Sequence, residues 1–179
     1  DGLLDITLAA KGGAQDKSGK GEWFAWWEAT KDSTKTFKKH LLPGKHPGAT
    51  NIMPADVNGD GKLDIIAGRG HGVGLIWFEN PNWNIHDINT DLMSPHCLQV
   101  GDIDADGDID AVTCAYVSRK AAWFENDGKG SFTTHIINND QAAYDIRLVD
   151  MDADGDLDTL IAGQQSKNIV WFENPLRNP

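Results

Sequence analysis

The sequence predicts an all-β chain made of β-propeller blades, each a sheet of four antiparallel strands. Three observations carry that expectation. The pattern Asp-x-Asp/Asn-x-Asp-Gly-x-x-Asp occurs three times, at residues 56–64 (DVNGDGKLD), 102–110 (DIDADGDID) and 150–158 (DMDADGDLD). Each copy is followed at near-constant distance by Trp-Phe-Glu-Asn, at residues 77–80, 123–126 and 171–174. Between these marks the turns are rich in Gly, Asn, Asp and Pro, and no window keeps a helical period. Each unit of roughly 40–50 residues therefore reads as four short strands, the size of one propeller blade.

Taken in order, residues 1–6 (DGLLDI) align with 60–65 (DGKLDI), so the chain is expected to begin inside a fourth loop whose first ligands are absent. The repeats are placed at about 1–55, 56–101, 102–149 and 150–179, the last partial, within one domain spanning 1–179. In the first complete copy the expected strands are 63–68, 74–79, 85–89 and 96–103. The whole chain counts fourteen strands, or three and a half blades. An open arc of that kind leaves sheet edges and apolar faces uncovered. The chain is thus expected to be a piece of a larger ring, seven-bladed for instance, or half of a ring closed by further copies of itself. Residues 11–21 (KGGAQDKSGKG) form an insertion relative to the next repeat, read as a loop with a lid or partner contact as the functional option.

Trp-Phe is apolar on both faces of its strand, which suits a sheet covered on both sides. These aromatics are read as packing between blades. Trp23, Trp26, Trp27 and Trp83 fall outside the strict register and are candidates for exposed roles. His40, His86 and His135 recur at one place in each unit, and that placement reads as structural.

The acidic loops have the chemistry of a cation cage. Carboxylates at positions 1, 3, 5 and 9, with the carbonyl of position 7, supply hard oxygen ligands, and glycine at position 6 permits the sharp turn. The expected ligands are Asp56, Asn58, Asp60, the Lys62 carbonyl and Asp64; Asp102, Asp104, Asp106, the Asp108 carbonyl and Asp110; and Asp150, Asp152, Asp154, the Asp156 carbonyl and Asp158. Calcium, with roughly 6–8 oxygens and tolerant geometry, suits this set better than magnesium. An EF-hand is excluded, because position 12 is Ala67, Thr113 or Ile161 rather than Glu and the flanks are strand-like. The net charge is −11, but the loops alone hold 13 of the 27 acidic residues, so the charge reports metal sites. No basic stripe exists to bind nucleic acid, and no apolar run is long enough to span a membrane. Cys97 and Cys114 flank the second loop on neighbouring strands, where either a disulfide or buried free thiols would fit.

These loops in a β repeat of this length resemble the FG-GAP/VCBS family, which includes the propeller of integrin α subunits and many secreted proteins. The resemblance covers nearly the whole chain. It implies a propeller fold, three complete and structural Ca2+ sites, and an extracellular or periplasmic location. Two further stretches, 69–74 (RGHGVG) and 141–147 (QAAYDIR), resemble the propeller of aldos-2-ulose dehydratase-type proteins, which implies carbohydrate chemistry by β-elimination of water from a keto-sugar.

Topology points to an active face. With each acidic loop taken as the link from one blade to the next, the opposite end gathers 11–20, 46–50, 69–73, 91–96, 115–119, 140–144 and 163–167. Thr50, His96 and Tyr144 are repeat-equivalent there, and His71, Arg69, Tyr116 and Gln164 are expected nearby. In an enzyme, His71 or His96 would be the base, Tyr144 the acid, and Arg69 the stabiliser of an enolate. A zinc site from His46, His71 and His96 is conceivable, though no motif spacing supports it. The glycine-rich 70–74 is not a phosphate loop, since no helix and no Lys-Ser/Thr follow. Two functions stay open: a carbon-oxygen lyase acting on a sugar, or a non-catalytic lectin-like, adhesion or protein-interaction module. The expected partners are a carbohydrate and the remainder of a propeller.

Overall fold

The computed structural model describes residues 3–12, 21–31 and 36–175. Among them there is no helix, and fourteen strands form four antiparallel sheets. The first holds β1 (Ile6–Ala10), β2 (Trp23–Ala29) and β3 (Phe37–Leu41). The second holds β4 (Asn51–Ala55), β5 (Asp64–Gly68), β6 (Val73–Glu79) and β7 (Asn84–Met93). In the third are β8 (Pro95–Gly101), β9 (Asp110–Ala115), β10 (Lys120–Asn126) and β11 (Phe132–Asn138), and in the fourth β12 (Asp145–Val149), β13 (Asp158–Gly163) and β14 (Asn168–Phe172). Spatial order follows chain order in every sheet. Contacts of β1 with β4, β4 with β8 and β8 with β12 set the sheets side by side as an arc of blades that does not close into a ring. The insertion expected to be a lid lies largely outside the described residues.

One expectation about topology is corrected. The acidic loops do not link blade to blade. Loop 56–63 joins β4 to β5, which pair directly from Ala55↔Asp64 to Asn51↔Gly68. Loops 102–109 and 150–157 join β8 to β9 and β12 to β13 in the same way. A repeat period reports the length of the unit but not its phase, and each sheet begins one strand before its acidic loop. Because the strands alternate in direction, the loops still share one end of the blades with the turns that follow Trp-Phe-Glu-Asn, and the remaining connections lie at the other end.

The core is three apolar layers, each between two sheets. Phe24, Ile65, Ile76 and Phe78 lie between the first and second. Ile66, Leu75, Trp77, Leu98 and Phe124 lie between the second and third, and Val112, Cys114, Ile146 and Ile161 between the third and fourth. The Trp-Phe pair divides between them: Trp77 faces the following sheet and Phe78 the preceding one, as side chains alternate along a strand. Directly across from Trp26, Trp77 and Trp123 stands a stacked histidine. Ring centroids are 4.1 Å apart for Trp26 and His40, 4.4 Å for Trp77 and His86, and 4.5 Å for Trp123 and His135. Each imidazole Nε2 then meets the glutamate two residues after its tryptophan, Glu28, Glu79 or Glu125. The three histidines are structural. Trp26 belongs to the register after all, and Trp83 packs toward it at 6.4 Å. Trp23 and Trp27 instead carry the Lys39 ammonium, 3.5 and 5.1 Å from their ring centroids.

The last aspartate of each loop locks it to the Trp-Phe-Glu-Asn turn. Asp110 is fully buried; its Oδ2 accepts the Ile103 N–H at 3.0 Å and its Oδ1 the Asn126 N–H at 2.8 Å. Asp64 holds Val57 and Asn80 likewise, and Asp158 holds Met151 and Asn174. The asparagine side chain then reaches back one blade. Asn126 Nδ2 donates to Ile109 O in its own loop and, at 2.8 Å, to Val57 O in the preceding one. Asn174 repeats this with Leu157 O and Ile103 O. Asn126→Ala would strand two buried carbonyls, and is expected to lower unfolding free energy by about 1–3 kcal/mol. Urea titration should show this, and an unchanged midpoint would refute the latch.

Candidate functional site

The two ends of the blades present different chemistry. At the loop end, short local hydrogen bonds shape each acidic loop before any ligand arrives. The position-1 carboxylate accepts the N–H of the position-6 glycine, through Asp56 to Gly61, Asp102 to Gly107 and Asp150 to Gly155. Positions 3 and 5 each accept the N–H two residues on, as at Asp104 to Asp106 and Asp106 to Asp108. The three glycines have φ of 82°, 101° and 97°, and a Cβ there would meet nothing within 4 Å. Glycine is thus required by its backbone conformation and not by space.

The donors fit a hard cation, and the loops are unequal. Oxygens of Asp102, Asp104 and Asp106 lie within 4.8 Å of one another, as do those of Asp150, Asp152 and Asp158. Asp102 Oδ1 is buried without a hydrogen-bond partner, as expected of an atom awaiting an ion. Burial pushes the carboxyls of Asp104 and Asp152 up, and that of Asp110 up to about 6. The first loop has Asn58 at position 3, and its Asp60 carboxylate is already paired with Lys62 Nζ at 2.6 Å. That bond is the main reason Asp60 sits below the usual carboxylate range.

At the other end four aromatic rings from three sheets meet. His71, in the β5–β6 turn, contacts His96 with Nε2 atoms 3.2 Å apart. His96 stacks on Tyr144 at a centroid distance of 3.9 Å, and Tyr144 lies 4.6 Å from Tyr116. Local structure aims each ring. A β-bulge in β8 lies between Pro95 and Cys97, so His96 is the extra residue set off the ladder, a device that re-aims a side chain. The turn carrying His71 lies close on β8: a Cβ on Gly70 would come 2.9 Å from the His96 Cα. Backbone bonds stitch the turns across blades, with the Ser94 N–H donating to Gly72 O and the Tyr116 N–H to Ser94 O, both at 2.9 Å. Beyond Tyr144 an open depression is lined by Asp145, Gln164, Lys167 and Asn168.

Three of the four expected catalytic residues therefore meet. The fourth, Arg69, donates through Nη1 to the carbonyl of Val73 and braces its own turn. Thr50 likewise supports that turn, its hydroxyl donating to Gly68 O and accepting the Gly70 N–H. The zinc trio is not assembled. His46 is buried with Nε2 on the Pro43 carbonyl at 2.8 Å and its ring against Phe24 and Phe78. It belongs to the apolar layer between the first two sheets. Nothing in the run Pro95-His96-Cys97 marks the bulge, so the direct contact between the histidines was not readable from sequence. The latch left a signal: two motifs at constant separation imply a shared contact.

Fold and loops together define an array of antiparallel β blades, three of them with an acidic turn among the described residues. The chain belongs to the FG-GAP-like repeat family, whose model matches residues 1–67, 56–113 and 102–161. No curated protein matches it. Among solved structures it is similar to an Agrocybe aegerita lectin, described for its specific recognition of non-reducing terminal N-acetylglucosamine. Identity is 17%, the TM-score is 0.51, and the match covers 87% of this chain and 47% of that one. The chain thus spans about half of the lectin's length, and the likeness is one of fold.

Burial lowers the pKa of both His71 and His96, with the Lys11 charge adding to the first and the His71 charge to the second. The unfolded chain, with histidines near the ordinary value of about 6.5, then binds more protons than the folded one. These two histidines therefore contribute stability that rises with pH through the window below about 6.5, against a contribution of opposite sign from Asp110, whose folded pKa is raised. In thermal melts between about pH 5 and 7, His71→Gln with His96→Gln should make the slope of stability against pH less positive than in the parent chain. An equal slope in the variant would refute it.

Proposed function

We propose that this chain is a carbohydrate-binding propeller segment, with the His71–His96–Tyr144–Tyr116 ladder as its sugar-contacting surface. The observation that carries the reading is the ladder itself. Four rings from three sheets converge at the end opposite the acidic loops, with Tyr144 39% exposed and the polar groups of Gln164, Lys167 and Asn168 beside it. Rings with an apolar body and a polar rim suit the apolar faces and hydroxyl edges of a sugar. The lectin's fold and its described recognition of a terminal N-acetylglucosamine support the same class of ligand.

One observation favours a catalytic variant of this reading. Burial lowers the pKa values of His71 and His96 and so favours their neutral imidazoles, and the His96 ring stacks on that of Tyr144. On a keto-sugar, the imidazole would take the proton next to the carbonyl. The β-hydroxyl would leave as water with a proton from Tyr144, forming the carbon–carbon double bond.

Calcium would be held by the acidic loops at the far end, where it would neutralise clustered carboxylates and stiffen the blades. It is a structural ion in this reading, and the location is extracellular or periplasmic, where calcium is abundant. On a glycan array in calcium buffer, Tyr144→Ala is expected to lose binding by about tenfold or more, a change of about 1.4 kcal/mol. Equal binding by the variant, or no glycan bound by either, would overturn the proposal. Turnover of keto-sugars lost in His96→Gln with glycan binding kept would select the enzyme. Chelation is expected to lower Tm by roughly 5 °C or more; a melt indifferent to chelator would remove calcium from the account.

A further inference from the structure

Cys97 and Cys114 take no part in the ring ladder or the acidic loops, yet the fold sets them face to face. Cys97 on β8 and Cys114 on β9 are directly opposite Cα partners in an antiparallel ladder. Both are buried, with 6% and 0% of their surface exposed, and both are free thiols. The neighbouring Cys97 thiol and burial together push the Cys114 pKa up. Opposed residues of an antiparallel pair have Cα atoms about 4.5–5.5 Å apart, inside the roughly 4.4–6.8 Å that a disulfide spans. The two ranges overlap, so the pair is placed for a disulfide.

We infer that Cys97 and Cys114 are an oxidisable dithiol that closes to a cross-strand disulfide, and that this closure is coupled to the ring ladder. The oxidant is a low-molecular-weight disulfide. Cys97 has the exposed surface and reacts first: its thiolate attacks one sulfur of the oxidant, releasing one small thiol and leaving a mixed disulfide. Cys114 then gives up its proton and attacks the Cys97 sulfur, releasing the second small thiol. One protein disulfide forms, one small disulfide is reduced to two thiols, and the two protons lost by the cysteines end on them.

The coupling follows from position. Cys97 is the residue after the bulged His96, and Cys114 lies two residues before Tyr116, so the bond would tie β8 to β9 within two residues of both ring-bearing positions. A bulge is held only by the residues around it, so a covalent link at Cys97 would constrain the backbone of the neighbouring His96. The Cys97 carbonyl already accepts a close hydrogen bond from the Thr113 hydroxyl, which restricts how the strand can adjust.

The test uses the whole chain with oxidised glutathione, followed by intact mass and a non-reducing peptide map. The expected product has lost two hydrogens, carries a 97–114 link and reverts with a dithiol reductant. An unchanged mass with both thiols titratable in denaturant overturns the proposal, as does a glutathione adduct that persists on Cys97. Cys97→Ala, which removes the attacking sulfur without adding a buried polar group, should leave Cys114 unmodified; its modification would overturn the order of attack. Coupling is read from the ring 15N shifts of His96, which should move on oxidation and stay fixed in Cys97→Ala. A closed link with unmoved His96 shifts would refute the coupling. No sugar enters either measurement, so the result is independent of the carbohydrate reading.

Discussion

The architecture rests on a carboxylate held between two backbone amides. Asp64, Asp110 and Asp158 each end an acidic loop and begin a strand, and each accepts the N–H groups of two segments that would otherwise have no reason to meet. A buried carboxylate is costly, and burial raises the pKa of Asp110 accordingly. Two directed hydrogen bonds to a charged acceptor offset that cost more fully than neutral bonds would. With the carboxylate in place, the turn after Trp-Phe-Glu-Asn is fixed against its loop. The asparagine side chain can then reach the preceding blade. Loop shape, blade pairing and blade stacking all depend on this one residue type at one position.

The same loop is asked to serve two ends. The carboxylates at positions 1, 3 and 5 face one another closely, as at Asp102, Asp104 and Asp106. The carboxylate at position 9 accepts backbone amides, and in the third loop Asp158 also comes within 4.8 Å of Asp150 and Asp152. Backbone amides on the latter, and in the proposed reading a cation among the former, are two answers to like charge gathered in a small space. The first loop answers differently, with an amide at position 3 and a lysine ammonium on Asp60. Similar motifs therefore do not imply equal electrostatics.

Much of this was legible in the residues, because repeats turn single ambiguous signals into a pattern. The all-β class, the fourteen strands and the packing role of Trp77 and Phe78 followed from period, turn residues and two-faced apolarity. His71, His96 and Tyr144 were drawn together from offset alone. What escaped was whatever the period does not encode. A repeat has no intrinsic starting point, so the acidic loops were placed between blades when they lie within them. Arg69 and His46 share a face or a sequence neighbourhood with the ladder, but their partners are a carbonyl and two phenyl rings. The bulge at His96 depends on how β8 meets β9, and no residue in that run announces it.

The asparagine latch is directional. Asn126 and Asn174 each reach toward the loop that precedes them in the chain, at Val57 and Ile103. At the corresponding place in the first sheet stands Ala29, which keeps the backbone bond to Asp5 but has no amide to extend. Domains form from the N-terminus onward as a chain leaves the ribosome. A later blade thus finds its acceptor carbonyl already in place. The array is thereby suited to vectorial folding, in which each unit docks onto the one synthesised before it.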